Sequence, residues 1–415
     1  MSSEKTLKDE LLKEASRLQE TIVSERRYLH RHPETGFALD ETKAFVKKEL
    51  QDMGYEPKEC GRAGLVAVAG GKKEGRVFLI RADMDGLPVK EEADVEFASE
   101  NGNMHACGHD MHTAMMLGAA RLLKMHEDEI EGTIKLMLQP AEEIFEGSHD
   151  MIEAGLLKNP DVDAALMIHV MAGMPFAPGT VVVSAPGVSA PGADIFEIKV
   201  QGKGCHGSMP NTGVDPLNAA AHILIALQEI GTRELGIGDR AVLTIGTMNA
   251  GNAANVIPDQ VIMKGSLRTF DGEVRDFVKE RLVEIAEGTA RTFRAEAEVT
   301  FTSGCPSLVN DGDLSVCCVA YVKELLGPEK AFSVAELSAM SGGGSSKSAG
   351  SEDFAYVSQE VPSLMLALAA GQPEKGYIYP QHHPMVKFDE DSLTAGSCVY
   401  AYTAMRWLEE HKERA

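Results

Sequence analysis

No apolar run in the 415 residues approaches the roughly twenty that a membrane-spanning helix needs, so no membrane span is expected. Positive charge is scarce. Forty lysines and arginines stand against 63 aspartates and glutamates, a net charge of -23. Such a balance speaks against nucleic acid or an anionic membrane as partner, because both are held by basic surfaces. The opening residues, MSSEKTLKDELLKEASRL, are charged and amphipathic and lack the apolar core of a secretory signal. Seven cysteines, odd in number and irregularly spaced, do not form a disulfide framework. A cytoplasmic protein is the expectation. No internal repeat is visible.

What is present reads as a globular chain too long for one core, with 44% hydrophobic and 25% charged residues, so two domains are expected. Leu7, Leu11, Leu12, Ala15, Leu18 and Ile22 form an apolar stripe that predicts a helix over 4–30. Pro33 and Gly36 end it in LHRHPETGF, where His30 and His32 read as surface residues beside a turn. A second helix is expected over 40–53.

Four short apolar runs read as buried strands: RVFLI at 76–80, TIKLML at 133–138, VDAALMI at 162–168 and SLMLAL at 363–368. Each is followed by acids or histidines, namely Asp83 and Asp85, Glu142 and Glu143, His169, and after a loop His382 and His383. Helix-like segments at 113–124 and 149–157 lie between them. The alternation predicts an α/β domain, a mainly parallel sheet with helices on both faces. Ligands of such sheets sit beyond the carboxyl ends of the strands, where these acids and histidines fall.

From Gly192 the pattern changes. Strand, helix, strand, strand, helix, strand follow at 195–200, 215–230, 241–247, 261–270, 272–293 and 295–301, the order of a ferredoxin-like α+β unit. The expected division is 1–189 with 304–415 for the larger domain and 190–303 for an insertion. After it come a helix near 314–326, the segment MSGGGSSKSAG at 340–350, flexible by composition, and a final helix from about 391 to 410.

The stretch His105 to His112, HACGHDMH, concentrates the chemistry. Cys107 and His109 are one residue apart, so from an extended segment both point the same way, and a thiolate beside an imidazole suits a borderline-soft divalent ion. With Asp83, Asp85, Glu142, Glu143, His169 and the His382–His383 pair there are more donors than one tetrahedral ion takes. Two ions sharing a bridging group fit better. Of the adjacent pair Glu142–Glu143, one can bind metal while the other serves as general base. Taken singly, each of these residues would read as an ordinary buried cysteine, surface histidine or solvated acid.

RADMDGLP, HACGHDMHTAMMLGAA, QPAEE, the lone His169, GKGCHGSMP, NVIPD, GSEDF and HHP occur in one order and span nearly the whole chain. In this the chain resembles the metal-dependent amidohydrolases that cleave N-acyl amino acids: the hippurate hydrolase, auxin-conjugate hydrolase and bacterial aminoacylase branch of the aminoacylase–carboxypeptidase family. The resemblance implies Cys107, His109, Glu143, His169 and His382 as ligands of two divalent ions, zinc or manganese, with cobalt or nickel as alternatives. It implies Glu142 as general base and Asp85 as the acid that orients the site; Asp83 matches no ligand. In the inserted lid domain it implies His206 as an oxyanion donor, and Asn255 and Arg268 as holders of the substrate carboxylate. The 340–350 segment is longer and richer in glycine and serine than the family pattern, which leaves the acyl group and amino acid open. A dipeptidase or carboxypeptidase on the same scaffold is the alternative activity. A binding protein without catalysis would be expected to lack the base or several ligands, and here all are present. The inserted domain is the expected contact of a homodimer or higher oligomer.

Overall fold

A computed structural model describes residues 6–341 and 350–412, so most of the 340–350 segment (342–349) lies outside the described residues. The chain forms two compact units, each with its own apolar core. The first comprises residues 6–189, 309–341 and 356–412; the second comprises 190–308 with 350–355.

The first unit is built on eight strands: β1 (Lys58–Cys60), β2 (Gly64–Gly70), β3 (Val77–Asp83), β4 (Thr133–Gln139), β5 (Ala164–Met171), β6 (Val181–Val183), β7 (Ala331–Ser333) and β8 (Ser363–Ala369). They lie in the order β1-β2-β4-β3-β5-β8-β6-β7. The four central strands, β4, β3, β5 and β8, run parallel, while β2 and β6 meet them antiparallel. Every residue of β3 is buried. Phe78, Ile80 and Ala82 enter the main apolar cluster, while Leu79 and Arg81, on the opposite face, are equally covered. The four strands expected from the sequence are all there, each ending one to three residues later than expected. Strands β1, β2, β6 and β7 were not anticipated; GLVAVAG in β2 is too small and glycine-flanked to stand out from a loop.

Helices α1 (Leu7–Arg31), α2 (Asp40–Asp52), α3 (His109–Met125), α4 (Gly147–Glu153), α5 (Gly312–Leu326) and α6 (Leu393–Glu410) surround this sheet. The apolar stripe of α1 is buried at Leu11, Ala15, Ile22 and Leu29. His30 corrects the sequence reading, because it is 2% exposed rather than on the surface. Its burial follows from the stripe itself, which continues through Arg26 and Leu29 to His30 at helical spacing.

The chain leaves β3 toward β4 on one side and later returns to β5 on the other, so β3 and β5 flank a topological switch point. Their register pairs Phe78 to Arg81 with Ala164 to Met167 and then stops. At that point the Tyr400 hydroxyl takes over, donating to the Arg81 carbonyl at 2.7 Å and accepting from the Ile168 N–H at 3.1 Å.

The second unit is an antiparallel sheet in which Ala241–Ala250, Gln260–Thr269, Gly192–Gln201 and Glu296–Cys305 lie side by side in that order. Two helices, Pro216–Ala226 and Gly272–Thr292, cover it, each opened by an aspartate (Asp215, Asp271) that accepts first-turn N–H groups. The topology is ferredoxin-like. The first helix ends four residues earlier than its apolar run suggested, giving way to a wider turn at Ile230–Glu234.

Two outcomes follow for stability. Tyr400→Phe removes the partner of two buried backbone groups and is expected to cost about 1–3 kcal/mol in denaturant unfolding. His126, after the end of α3, bonds Glu14 of α1 at 2.9 Å and Glu129 at 2.7 Å. Burial depresses its pKa, but the two carboxylates outweigh this and raise it above 6.5. Its contribution to stability is therefore complete below pH 6.5 and fades as pH rises through the raised folded value. Chelator-treated wild type and His126→Gln should differ most in unfolding midpoint near pH 6 and converge toward pH 9.

Candidate metal centre

The carboxyl ends of the central strands carry the donors. The segment around Cys107 is not extended, in contrast to the sequence reading. Gly108 turns the chain at a φ of 94°, and His109 is the first residue of α3. A Cβ at position 108 would lie 2.4 Å from Val170 Cγ2, so both backbone angle and space demand glycine. It is this turn that lets Cys107 and His109 converge.

Cys107, His109 and His169 each bring a donor atom to within 4.8 Å of the others, and so do Cys107, Glu143 and His382. The two triads share Cys107. Glu142 joins a third group with His109 and Glu143. The tautomers are set from behind. His109 donates from Nδ1 to the Asp85 carbonyl at 2.8 Å, and His169 from Nδ1 to the Val170 carbonyl at 2.7 Å. Each thereby keeps its Nε2 lone pair for the cluster, and Nε2 of His169 lies 3.6 Å from Cys107 Sγ. His382 has a φ of 68° and reaches 3.5 Å from Glu143 with Nε2. Its neighbour His383 instead stacks on Tyr379 and accepts from the Met385 N–H through Nδ1.

Asp85 organises the acidic pair. Its two oxygens accept the backbone N–H groups of Glu142 and Glu143 at 3.1 and 3.2 Å. These residues form a single 3-10 turn flanked by Ala141 and Phe145, both at positive φ. The aspartate thus acts as a cap on a strained turn. Asp83 has a different task. Arg81, His109 and His112 hold its carboxyl well below the usual range, against the upward push of burial. It pairs with Arg81 at 2.7 Å and accepts from His112 Nδ1 at 2.6 Å, while His112 Nε2 accepts from the Val170 N–H at 2.8 Å. Both nitrogens of His112 are committed, so although it lies near His109 and Asp83 it has no lone pair to give a cation. Burial depresses its pKa to about 4, consistent with a neutral ring. His105 is also buried and neutral, pushed down to about 3, and belongs to neither triad.

The cluster fits a divalent cation. His109 Nε2 and Glu143 Oε1 are buried and make no hydrogen bond. Burial, together with the nearby charge of Glu143, pushes the Cys107 thiol well above 9.0. Burial, with Asp85 and Asp83, raises Glu143 to about 7 despite the pull of His109. Groups that cannot ionise comfortably on their own, with lone pairs aimed at a common point, are what a cation stabilises.

The remaining expected residues lie in the second unit. His206 is exposed and pairs across a two-residue ribbon with Val256. Its Nδ1 accepts from the Ser208 N–H and hydroxyl, at 3.2 and 2.8 Å, so Nε2 carries the proton and faces outward as a donor. Asn255 sits beside it, its carbonyl accepting the Gly207 N–H at 2.8 Å. Arg268 lies on the strand Gln260–Thr269 and bonds the Ser351 hydroxyl.

The profile of Peptidase family M20/M25/M40 matches residues 79–406. The chain belongs to this family. It is a metal-dependent amidohydrolase of the M20 type. It is 35% identical over 402 residues to an N-acetyl-L-cysteine deacetylase of Bacillus subtilis strain 168, covering 96% of this chain and 91% of that protein. To the IAA-amino acid hydrolase ILR1-like 2 of Arabidopsis thaliana it is also 35% identical, over 94% of this chain and 85% of that protein. Among solved structures, a dinuclear metal-binding M20 peptidase of Bacillus subtilis is similar with a TM-score of 0.75 and 33% identity, covering 95% and 99% of the two chains. Within this M20 fold, the supports that sequence reasoning did not assign are Asp83, His112 and Tyr400. His112 and Tyr400 have their partners far away in the chain, and Asp83, although named among the candidate donors, is bonded to His112 by a contact no local pattern announces.

Asp85→Asn keeps the shape but replaces one acceptor oxygen by an amide donor facing a backbone N–H. We expect a loss of roughly 10- to 100-fold in metal affinity or turnover, read by chelator competition and steady-state kinetics.

Proposed function

We propose that this protein hydrolyses the amide bond of N-acyl amino acids, releasing a carboxylic acid and a free amino acid. The observation that carries the reading is the pair of donor triads sharing Cys107, with Glu142 set beside them on the same turn as Glu143. The similarity to an N-acetyl-L-cysteine deacetylase and to an IAA-amino acid hydrolase supports an N-acyl substrate. Two ions, zinc or manganese, are assigned to Cys107, His109, Glu143, His169 and His382; when bound they supply polarisation of the acyl carbonyl and acidification of water.

The chain's own groups do the rest. Glu142 is 5% exposed and its backbone N–H is held by Asp85, so the turn that carries its carboxylate is fixed. It takes the proton of the attacking water and returns it to the leaving amine. His206, protonated on Nε2, is assigned to donate to the developing oxyanion, an interaction typically worth ~3–4 kcal/mol. Arg268, whose fork matches a carboxylate, and Asn255 are assigned to the substrate's carboxyl end. Asp85 is a positioning residue, acting through Glu142, Glu143 and His109.

The same reading takes residues 190–303 as a lid and dimerisation domain of a cytoplasmic homodimer or higher homo-oligomer. Ala241–Ala250 is an edge strand with Val242 exposed, and Ile225 is exposed on the neighbouring helix, features that favour a subunit contact.

The test is release of free amine from N-acetyl, N-benzoyl and longer N-acyl amino acids, with unblocked dipeptides alongside, by protein loaded with zinc or manganese. Metal-dependent release from the acyl amino acids is expected. Glu142→Gln should lower kcat by roughly 10²–10⁴-fold with metal content unchanged. Cleavage of dipeptides alone would move the protein to the peptidase alternative, and near wild-type activity in Glu142→Gln would remove that residue as the base.

A further inference from the structure

His30 lies outside the donor cluster, yet it is among the most completely bonded polar groups in the first unit. Its Nδ1 is 2.8 Å from Asp110 Oδ2 and its Nε2 is 3.0 Å from Glu91 Oε1. Asp110 and Glu91 each face one nitrogen and together outweigh burial and the Arg26 guanidinium, whose Nη2 lies 3.3 Å from Nδ1, so both nitrogens donate and the ring is an imidazolium held by two charge-assisted bonds. Arg26, one turn earlier on α1 and 1% exposed, stands 2.7 Å from the same Asp110 oxygen, an ion pair rather than an aligned hydrogen bond.

The two carboxylates lead to different sides of the metal centre. Asp110 follows His109 in the first turn of α3. Glu91 belongs to a loop spanning 88–103 that contains neither helix nor strand, its ends joined by a bridge between Leu87 and Met104. Loops of this length without secondary structure are uncommon in compact domains and are usually functional. The second oxygen of Glu91 accepts the Ser99 N–H at 2.6 Å, and Phe97 of the same loop meets the His30 ring edge-on. The adjacent residue, Glu92, donates its backbone N–H to the Pro384 carbonyl at 2.9 Å. Pro384 is two residues beyond His382, whose left-handed backbone has to be held by its surroundings. The His382 N–H in turn bonds the Ala106 carbonyl at 2.9 Å, next to Cys107.

We propose that His30, through Asp110 on one side and Glu91–Glu92–Pro384 on the other, is a positioning residue that fixes the separation of His109 and His382 across the metal centre. The two triads share Cys107 and are linked by the Ala106 and Asp85 bonds, but otherwise draw on separate segments of chain, so a further tie outside the ligands bears on their spacing. His30 adds such a tie as a rigid ring carrying a donor at each end. The bonds are buried and directed, so water cannot replace them without leaving charge unpaired. The ion nearer His382 should be the more sensitive one. His382 is half-exposed and rests on a loop, whereas His109 is buried in the first turn of a helix.

The inference rests on His382 being a metal ligand, and the experiment separates the two ideas. Zn²⁺ retained by the full-length protein is measured against graded chelator for wild type, His30→Ala, Glu91→Ala, Glu91→Gln and His382→Ala. His30→Ala and Glu91→Ala are expected to weaken one ion by about 10- to 100-fold, as His382→Ala does, and to spare the other. Glu91→Gln keeps an acceptor oxygen for His30 and should restore most of the affinity, whereas Glu91→Met, added to the series as a side chain of similar size without that acceptor, should not. If His30→Ala does not fold, Glu91→Ala still reads the His382 arm alone. Wild-type Zn²⁺ retention in both His30→Ala and Glu91→Ala, with loss in His382→Ala, would overturn the inference and leave the ligand assignment standing. Full retention in His382→Ala itself would overturn both.

Discussion

Beyond Arg81 and Met167 the strands β3 and β5 stop bonding to one another, and the metal centre exists because they do. Each stays in register with its outer neighbour, β3 with β4 to Asp83 and β5 with β8 to Met171. A gap between parallel strands exposes backbone donors and acceptors in a buried place, and these must be satisfied. Tyr400 fills the first position and His112 the second, the latter bonded to Asp83 on one strand and to the Val170 N–H on the other. The opening is thus propped by side chains from two helices, and His169 is presented at its rim. The switch point of an α/β sheet becomes a site here through named hydrogen bonds as well as through topology.

The second constraint is electrostatic. Asp83, Asp85, Glu142 and Glu143 all gather around His109, the two aspartates fully buried and the glutamates nearly so. Arg81 and His112 balance Asp83, and two backbone N–H groups balance Asp85. Glu143 and Cys107 have no comparable partner, and their upward shifts express that imbalance. A divalent cation would reverse both, which makes binding of metal and loss of protons one event. Arg81 and the neighbouring histidines keep Asp83 charged without a cation, whereas Cys107 and Glu143 would give up their protons as a cation binds. That difference separates scaffold from ligand among chemically identical side chains.

Much of this was legible in the sequence because the relevant signals are local. Apolar runs of five to seven residues ending in acids or histidines mark the central strands, and the spacing of α1 and of the helix Gly272–Thr292 is plain. The motifs around Cys107, Glu142 and His382 carried the family resemblance. What was illegible involved long-range pairing. His30 looked like a surface residue because polarity was weighed and its partners, Glu91 and Asp110, could not be seen. The Cys107–His109 segment looked extended because spacing alone cannot reveal that Gly108 adopts a left-handed turn.

The sequence by itself therefore determined the set of candidate donors, the alternation that builds the sheet, the βαββαβ unit and the chemistry available to them. Periodicity and side-chain type are properties of neighbours along the chain, and they survive without a fold. Only the tertiary structure decided which donors share a point in space, which histidine of the 382–383 pair meets Glu143, and which tautomer His109, His169 and His206 present. Those outcomes depend on hydrogen bonds between residues tens to hundreds of positions apart, such as Ile168 with Tyr400 or Asp83 with His112, and such contacts are created by packing rather than written in any local pattern.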